Sequence, residues 1–359
     1  LDTVILDNDK RFAQGIAQQG KTVLSYTFNT EPLSENMKER LAMPEYRKAI
    51  AGFNAKATKL LSAEEASRLD ALRDSATLSI SYPIPELMES AFSFGFVNRY
   101  TDVDGTVRKV RMVQAYQSRL YFNLALVMLI DACGVPMKNV EVLPGDRIVL
   151  KNALNPMTHK FGDISIPIDD EGMMYVNWAG KSVREESFHL VPFYALLDYA
   201  DYAPAVHDYF DRIESQEQRF VLSDIYGKIA EHKRLYARAG SADERMKHWK
   251  AIKDLRGEMK KVKESYAAIL KNEIGRLEKE PGAGNDRALK EELDLMKDDL
   301  KAIELVIRLE NELADDIAIS GLTATGTHDI GTIPLSKEYA RVGVYHNTVN
   351  TIVNGAFIH

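Results

Sequence analysis

Asp316–Ile358 reads DIAISGLTATGTHDIGTIPLSKEYARVGVYHNTVNTIVNGAFI, and the fold class turns on how this stretch divides. Ile317, Ala318 and Ile319 form a short apolar strand. Gly321 and Gly326 bracket a turn that holds Thr323 and Thr325; His328 and Asp329 follow, and Pro334 bounds a loop. Val342-Gly343-Val344 then leads into an amphipathic helix through Val349, Ile352 and Val353, stopped by Asn354-Gly355. A strand that ends in a Gly-rich turn and resumes as a helix is an α/β unit. Ligands of α/β sheets usually sit beyond the carboxyl ends of the strands.

The whole chain of 359 residues is long enough for one large domain or two ordinary ones. Its 45% hydrophobic and 28% charged residues are those of a soluble globular protein. A net charge of -7 and a pI near 5.7 argue against nucleic acid or anionic membrane as the main partner. The single cysteine, Cys133, excludes an intrachain disulfide without fixing the compartment. It ends an apolar run from Tyr121 and reads as a buried structural thiol rather than a nucleophile. No signal peptide is present, and the longest apolar run, Leu124–Ile130, is well short of the ~20 residues a membrane span needs. The chain opens inside an apolar strand, Leu1–Leu6, and is read as a piece of something longer.

Asp7-Asn8-Asp9 caps a short helix carrying Phe12 and Ile16, and Thr22–Phe28 is a strand. Residues 33–74 are polar and mostly helical, with Leu60, Leu61, Leu69 and Leu72 at helical spacing and Ser62/Glu65 as a capping box. Ala76–Tyr82 is a strand halted by Pro83 and Pro85. Phe94–Tyr100 and Val107–Tyr116 are strands, and the Asp104-Gly105 turn between them predicts a hairpin. Leu120–Cys133 is a buried helix; Val140–Leu150, Ile164–Ile168 and Met173–Trp178 are strands; Ser187–Tyr199 is a helix.

The order of these pieces resembles the second type of CHASE domain, the extracytoplasmic sensors of cyclases and histidine kinases. The matching residues at the closing end are Gly321, Thr323, Thr325, Gly326, Asp329, Pro334, Gly343-Val344 with His346, and Asn354-Gly355. Earlier come Gly95, Val97, Asn98, Asp102, Asp104, Gly105 and Arg108, then Gly172, Tyr175, Val176, Asn177, Trp178 and Gly180, then Ser187-Phe188. Asp2 and the stretch from Phe12-Ala13 to Val23-Leu24 match the region after the family's second strand. The resemblance covers about residues 1–200 and 313–358. A first strand and helix expected before Asp2 are missing, and 203–312 is an insertion.

The resemblance implies an α/β, mixed-sheet sensor domain with flanking helices, made of 1–202 and 313–359, with an inserted helical arm at 203–312. It implies an extracytoplasmic, non-catalytic signal-input domain, attached to the membrane through segments flanking this chain. Its cytoplasmic output would be a class III nucleotide cyclase or else a histidine or Ser/Thr kinase. The signal would be an unknown small molecule or protein, with a homodimer as a further expectation. For such a sensor the ligand cleft is placed between the turns at 99–108 and 321–329, with Arg99, Asp102, Asp104, Arg108, Thr323, Thr325 and Asp329 as candidates.

Within the insertion, Pro204 opens a helix running through Val206, Phe210, Ile213, Leu222, Ile225, Ile229 and Tyr236 to Ala239-Gly240. Ser241/Glu244 caps a second helix carrying Trp249, Ile252, Leu255, Met259, Val262, Tyr266 and Ile269, ended by 280–284. Asn285 or Asp286 caps a third, whose Leu289, Leu293, Met296, Leu300, Ile303 and Ile307 form a heptad seam. An antiparallel, coiled-coil-like arm follows. Its seam serves either its own packing or, in the alternative reading, a dimer or partner contact, motivated by Phe210, Tyr236, Trp249 and Tyr266.

No catalytic set emerges. Asp102/Asp104/Gly105 resembles the start of a calcium loop, but Val113 stands where the twelfth-position Glu is required, so a plain turn is the other reading. The Gly321–Gly326 turn lacks the Gly-Lys-Ser/Thr ending of a phosphate loop. The eight histidines (His159, His189, His207, His232, His248, His328, His346 and His359) show no zinc spacing. His328-Asp329 has no third partner, Asn177-Trp178 reads as core rather than ligand platform, and there is no Gly-x-Ser-x-Gly elbow. Neither metal nor cofactor is expected.

Overall fold

The computed structural model of the chain describes residues 8–182, 188, 191, 193–238, 242–279, 287–313, 317–320 and 329–358. In chain order its elements begin with α1 (Asn8–Gln19), β1 (Val23–Asn29), α2 (Glu35–Ala42), α3 (Pro44–Ala57), β2 (Thr58–Leu60) and α4 (Ala63–Arg68). Then come β3 (Ser79–Ser81), α5 (Pro85–Ser90), β4 (Ser93–Phe96), β5 (Lys109–Arg111), β6 (Val113–Tyr116), β7 (Arg119–Phe122) and α6 (Leu124–Ala132). β8 (Val140–Leu143), β9 (Arg147–Leu154), β10 (Phe161–Pro167) and β11 (Met173–Tyr175) precede four long helices: α7 (Phe193–Glu217), α8 (Val221–Arg238), α9 (Ala242–Leu277) and α10 (Arg287–Glu312). The chain closes with β12 (Ile330–Ile333), β13 (Ser336–Ala340) and α11 (Gly343–Val353). Two compact units result, Leu1–His189 with Ile319–His359, and Leu190–Ala318.

The first unit is α/β, with small mixed sheets and packed helices. β1 is central to one sheet, parallel to β4 from Val23/Ser93 to Tyr26/Phe96 and antiparallel to β3. β8, β9 and β10 form an antiparallel meander, β2 and β6 flank β7, β5 pairs with β11, and β12 with β13. The β1/β4 sheet rests on an aromatic core: Tyr26, Phe28, Phe53, Phe94, Phe96 and Tyr121 are all buried, with Phe53 and Phe94 centroids 4.6 Å apart. A larger aliphatic core lies under α6 and the remaining sheets. Cys133 ends α6 at 1% exposure, and burial pushes its thiol pKa up to about 12.

Several expectations hold and several do not. The Ser62/Glu65 capping box forms with both of its bonds, and α11 stops at Asn354-Gly355, where Gly355 takes φ +61°. In α1 the inward residues are Ala13 and Ile16, while Phe12 is 58% exposed. Residues 58–60 are strand rather than helix and pair with β7. The predicted helix from Leu120 starts only at Leu124, because β7 runs to Phe122 and Asn123 caps the helix by accepting from the Ala125 N–H at 2.9 Å.

The hairpin predicted between Phe94–Tyr100 and Val107–Tyr116 does not form. The tight turn itself is present, with the Gly105 N–H donating to Asp102 O at 2.8 Å. The strands go elsewhere because all four β4 residues are buried, which suits a parallel strand covered on both faces rather than a half-exposed ribbon. A side chain at Gly95 would sit 2.6 Å from the Leu124 backbone nitrogen, so α6 occupies that face. Beyond β4, the Asn98 amide accepts from and donates to the Phe28 backbone, both at 2.7 Å.

The predicted strand at 317–319 is not a strand; Ile319 instead packs on Leu124, Ala125 and Met128. Three successive apolar residues cannot distinguish a strand from a covered loop. The strands of this region are β12 and β13, read beforehand as loop because Pro334 interrupts them; it sits in the turn that joins them. Thr323, Thr325, Gly321, Gly326 and His328 lie outside the described residues, as do Leu1–Leu6.

In the second unit, α7 passes straight through Pro204 instead of starting there. Burial of Ala203, Val206 and Phe210 around it offsets the lost backbone bond. The run predicted to continue to Tyr236 breaks at Gln218, which has φ +52°, and the Arg219 N–H returns to Glu214 O at 3.0 Å. α9, with 36 residues, spans about 54 Å at ~1.5 Å per residue. Lys263 pairs with Glu310, and Lys297 with Glu278 at 2.7 Å, so α9 and α10 run antiparallel. Leu293, Ile303 and Ile307 of the predicted seam are buried against Tyr266, Leu270 and Ile274 of α9. Ser241, the stop at 280–284 and the Asn285/Asp286 cap lie outside the described residues.

Candidate functional site

Of the two turns expected to form a cleft, 99–108 lies beside β12, and of 321–329 only Asp329 is among the described residues. Thr106 bridges Thr332 of β12, and the Val107 N–H donates to Thr332 O at 2.9 Å. From there the candidate residues separate into two groups.

Asp102, Asp104 and Arg108 close on one another. The Arg108 guanidinium donates to Asp102 Oδ2 at 2.6 Å and takes Asp104 bidentately at 2.7 and 3.0 Å. This holds the Asp104 carboxyl well below the usual carboxylate range. Asp104 also accepts the Thr106 N–H at 3.0 Å. These carboxylates shape the turn, and the nearby guanidinium is already spent on them.

Arg99 and Asp329 belong to a different group, completed by Arg341 and Tyr345, neither of which was expected. The Arg341 N–H donates to Asp329 O at 2.9 Å, which sets residue 341 beside the start of β12. Partial burial and the Arg341 charge pull Arg99 below the ordinary arginine value, with Asp329 opposing. The point a Gly331 side chain would occupy lies 3.4 Å from Arg341 Nε and 3.7 Å from Arg99 Nη1. The two guanidinium groups therefore converge over a glycine. Among the described residues neither has a carboxylate within 4.0 Å, and Arg341 Nε is buried without a hydrogen-bond partner. Tyr345 closes the group: its hydroxyl donates to Val97 O at 3.1 Å, and burial drives its pKa well up.

Arg341 lies two residues before α11, which is held by polar groups on its buried face. Asn347, fully buried, accepts the Ala179 N–H at 2.8 Å and donates to Tyr339 Oη at 2.8 Å and Gly343 O at 2.7 Å. Thr351 accepts the Asn177 N–H at 3.1 Å. Trp178 packs edge-on against Tyr339 at 5.3 Å and is core, whereas Asn177 is exposed and donates from its side-chain amide to Ala356 O at 3.1 Å. Arg341 was missed because its position depends on β12 meeting Thr106, which no local pattern records; an arginine two residues before a glycine-led helix was the available signal.

Two other features were not anticipated. Arg111, 7% exposed, lies 4.3 Å over the Tyr100 ring, with Asp74 at 3.7 Å and Glu171 at 3.8 Å. A cleft of about 680 Å³ opens beside edge strand β3 and α2, with Arg40, Tyr46 and Tyr82 in its wall.

Comparison with known proteins adds one positive finding. The sequence model of one family, described as the CHASE2 domain, matches residues 2–226. The match runs on through α7 into α8 and does not extend to the closing β12–β13–α11 segment. No curated protein and no solved structure matches the chain.

Proposed function

Because the chain belongs to the CHASE2 domain family, a family of extracellular sensory domains, we propose that it is the signal-input part of a transmembrane receptor whose cytoplasmic output is a class III nucleotide cyclase. The observation that carries this reading is the coupling of Arg99, Asp329 and Arg341 to α11. Arg341 leads into the helix, Tyr345 lies on it, and Asn347 and Thr351 grip the backbone of 177–179. A ligand that prefers one placement of Arg341 by a few kcal/mol biases the placement of α11, and the chain beyond Val353 receives that bias.

No helix among the described residues is long and apolar enough to cross a membrane, so attachment is assigned to segments flanking this chain. The alternative is a docking module worked by the helical unit. Of the aromatic residues that motivate it, Phe210 and Tyr266 are buried in that unit's own core, while Tyr236 and Trp249, with tilted rings 6.3 Å apart, are half-buried.

The test uses the intact reading frame in native-like membranes, supplied with ATP and GTP. Production of cyclic AMP or cyclic GMP, with this domain on the outer side in protease-protection mapping, is the expected result. Membranes that form neither nucleotide but transfer phosphate from ATP to protein would replace the cyclase by a kinase. A domain mapped to the cytoplasmic side would end the sensor reading.

A further inference from the structure

Arg99 and Arg341 carry two positive charges to one point, Asp329 supplies one negative charge nearby, and the glycine beneath them leaves the point clear of side chain. A guanidinium with no carboxylate at ion-pair distance keeps its fork of donors available, and that fork matches the two oxygens of a carboxylate. Arg341 Nε is the sharpest sign, since a buried charged donor without a partner is costly in a folded protein. The Tyr345 hydroxyl is already engaged with Val97 O, so the arginines alone remain to receive an anion.

From this convergence we propose that Arg99 and Arg341, over Gly331, form a binding site for the carboxylate group of a small organic acid. The charge balance selects the class: two guanidinium groups and one aspartate leave a single positive charge, which one carboxylate neutralises. A phosphate dianion overshoots that balance and meets like charge from Asp329. The proposal deepens the sensor reading by giving its signal a chemical class, and it rests on that reading only for the consequence of binding. Binding itself is a property of this chain.

The experiment titrates this chain with sodium acetate, and separately with inorganic phosphate, at ionic strength held constant with chloride, following the thermal midpoint and the heat of binding. The expected result is a saturable acetate response. Arg99→Gln, at an exposed residue, weakens it at least tenfold; Arg341→Gln abolishes it; Asp329→Asn tightens it severalfold; Gly331→Ala, which places a methyl between the forks, weakens it. A response that does not saturate, an unchanged affinity in Arg99→Gln, or tighter binding of phosphate than of acetate overturns the proposal. Should Arg341→Gln fail to fold, the Arg99 and Asp329 variants decide alone. Failure here leaves the receptor topology and cyclase output intact. Acetate binding that leaves the output of the intact receptor unchanged supports the site and counts against the sensor reading instead.

Discussion

His346 matches a position of the family pattern, and the structure shows what that position does. Its ring lies 5.1 Å from that of Phe188, and Nδ1–H donates to Val342 O at 3.3 Å. Burial lowers its pKa, and the Val342 bond opposes only part of that. The sign follows directly. Below the ordinary imidazole value of ~6.5 the unfolded chain takes up a proton that the folded chain resists. The contribution is therefore complete above that value and is lost as pH falls through it. The urea midpoint should drop between pH 7.5 and pH 5.5 by more in the wild type than in His346→Gln; equal drops would remove the role given to burial.

The element on which most depends is α11, and Asn347 is its main fastening. Asn347→Ala removes the acceptor of the Ala179 N–H and the partner of Tyr339 Oη at a fully buried place, at a cost of about 3 kcal/mol. Chemical denaturation measures it, and a loss under about 1 kcal/mol would mean that α11 is held by its apolar contacts instead. How legible such elements were follows from how local their causes are. The α11 helix, the β1 strand, the Ser62/Glu65 cap and the α10 seam are each written in one continuous stretch, and the sequence reading places them well. The partners of β4 and β5 are not: a Phe-Gly-Phe strand pairs wherever both of its faces can be covered, which depends on α6 and β1. The β12–β13 ribbon was hidden by the proline in its turn, and α7 by a proline in its middle. In the candidate site, Asp329 was picked out by the family order and Arg99 by its place in the 99–108 turn. Arg341 was not, and the Asp102/Asp104/Arg108 cluster proved to be a closed turn.

At the scale of the whole molecule, the chain holds separate cores: aromatic and aliphatic ones in the first unit, and one built from α7, α9 and α10 in the second. Cooperative unfolding follows the core, so two units with their own cores are expected to melt as two. The two tryptophans allow the measurement, because Trp178 lies in the first unit and Trp249 in the second. Trp249→Phe and Trp178→Phe each leave one reporter, and their denaturation midpoints should differ. Coincident midpoints, with the same difference from the wild type, would show a single cooperative body. Cys133 adds a consequence of another kind. As the only sulfhydryl in the chain, sealed at the end of α6 and with almost no thiolate at neutral pH, it offers an oxidant or a maleimide nothing to attack. The molecule is thus chemically silent toward thiol reagents, and a pair of cysteines introduced on its surface would carry spin labels or fluorophores without a background signal, so that the proposed displacement of α11 can be tested as a distance.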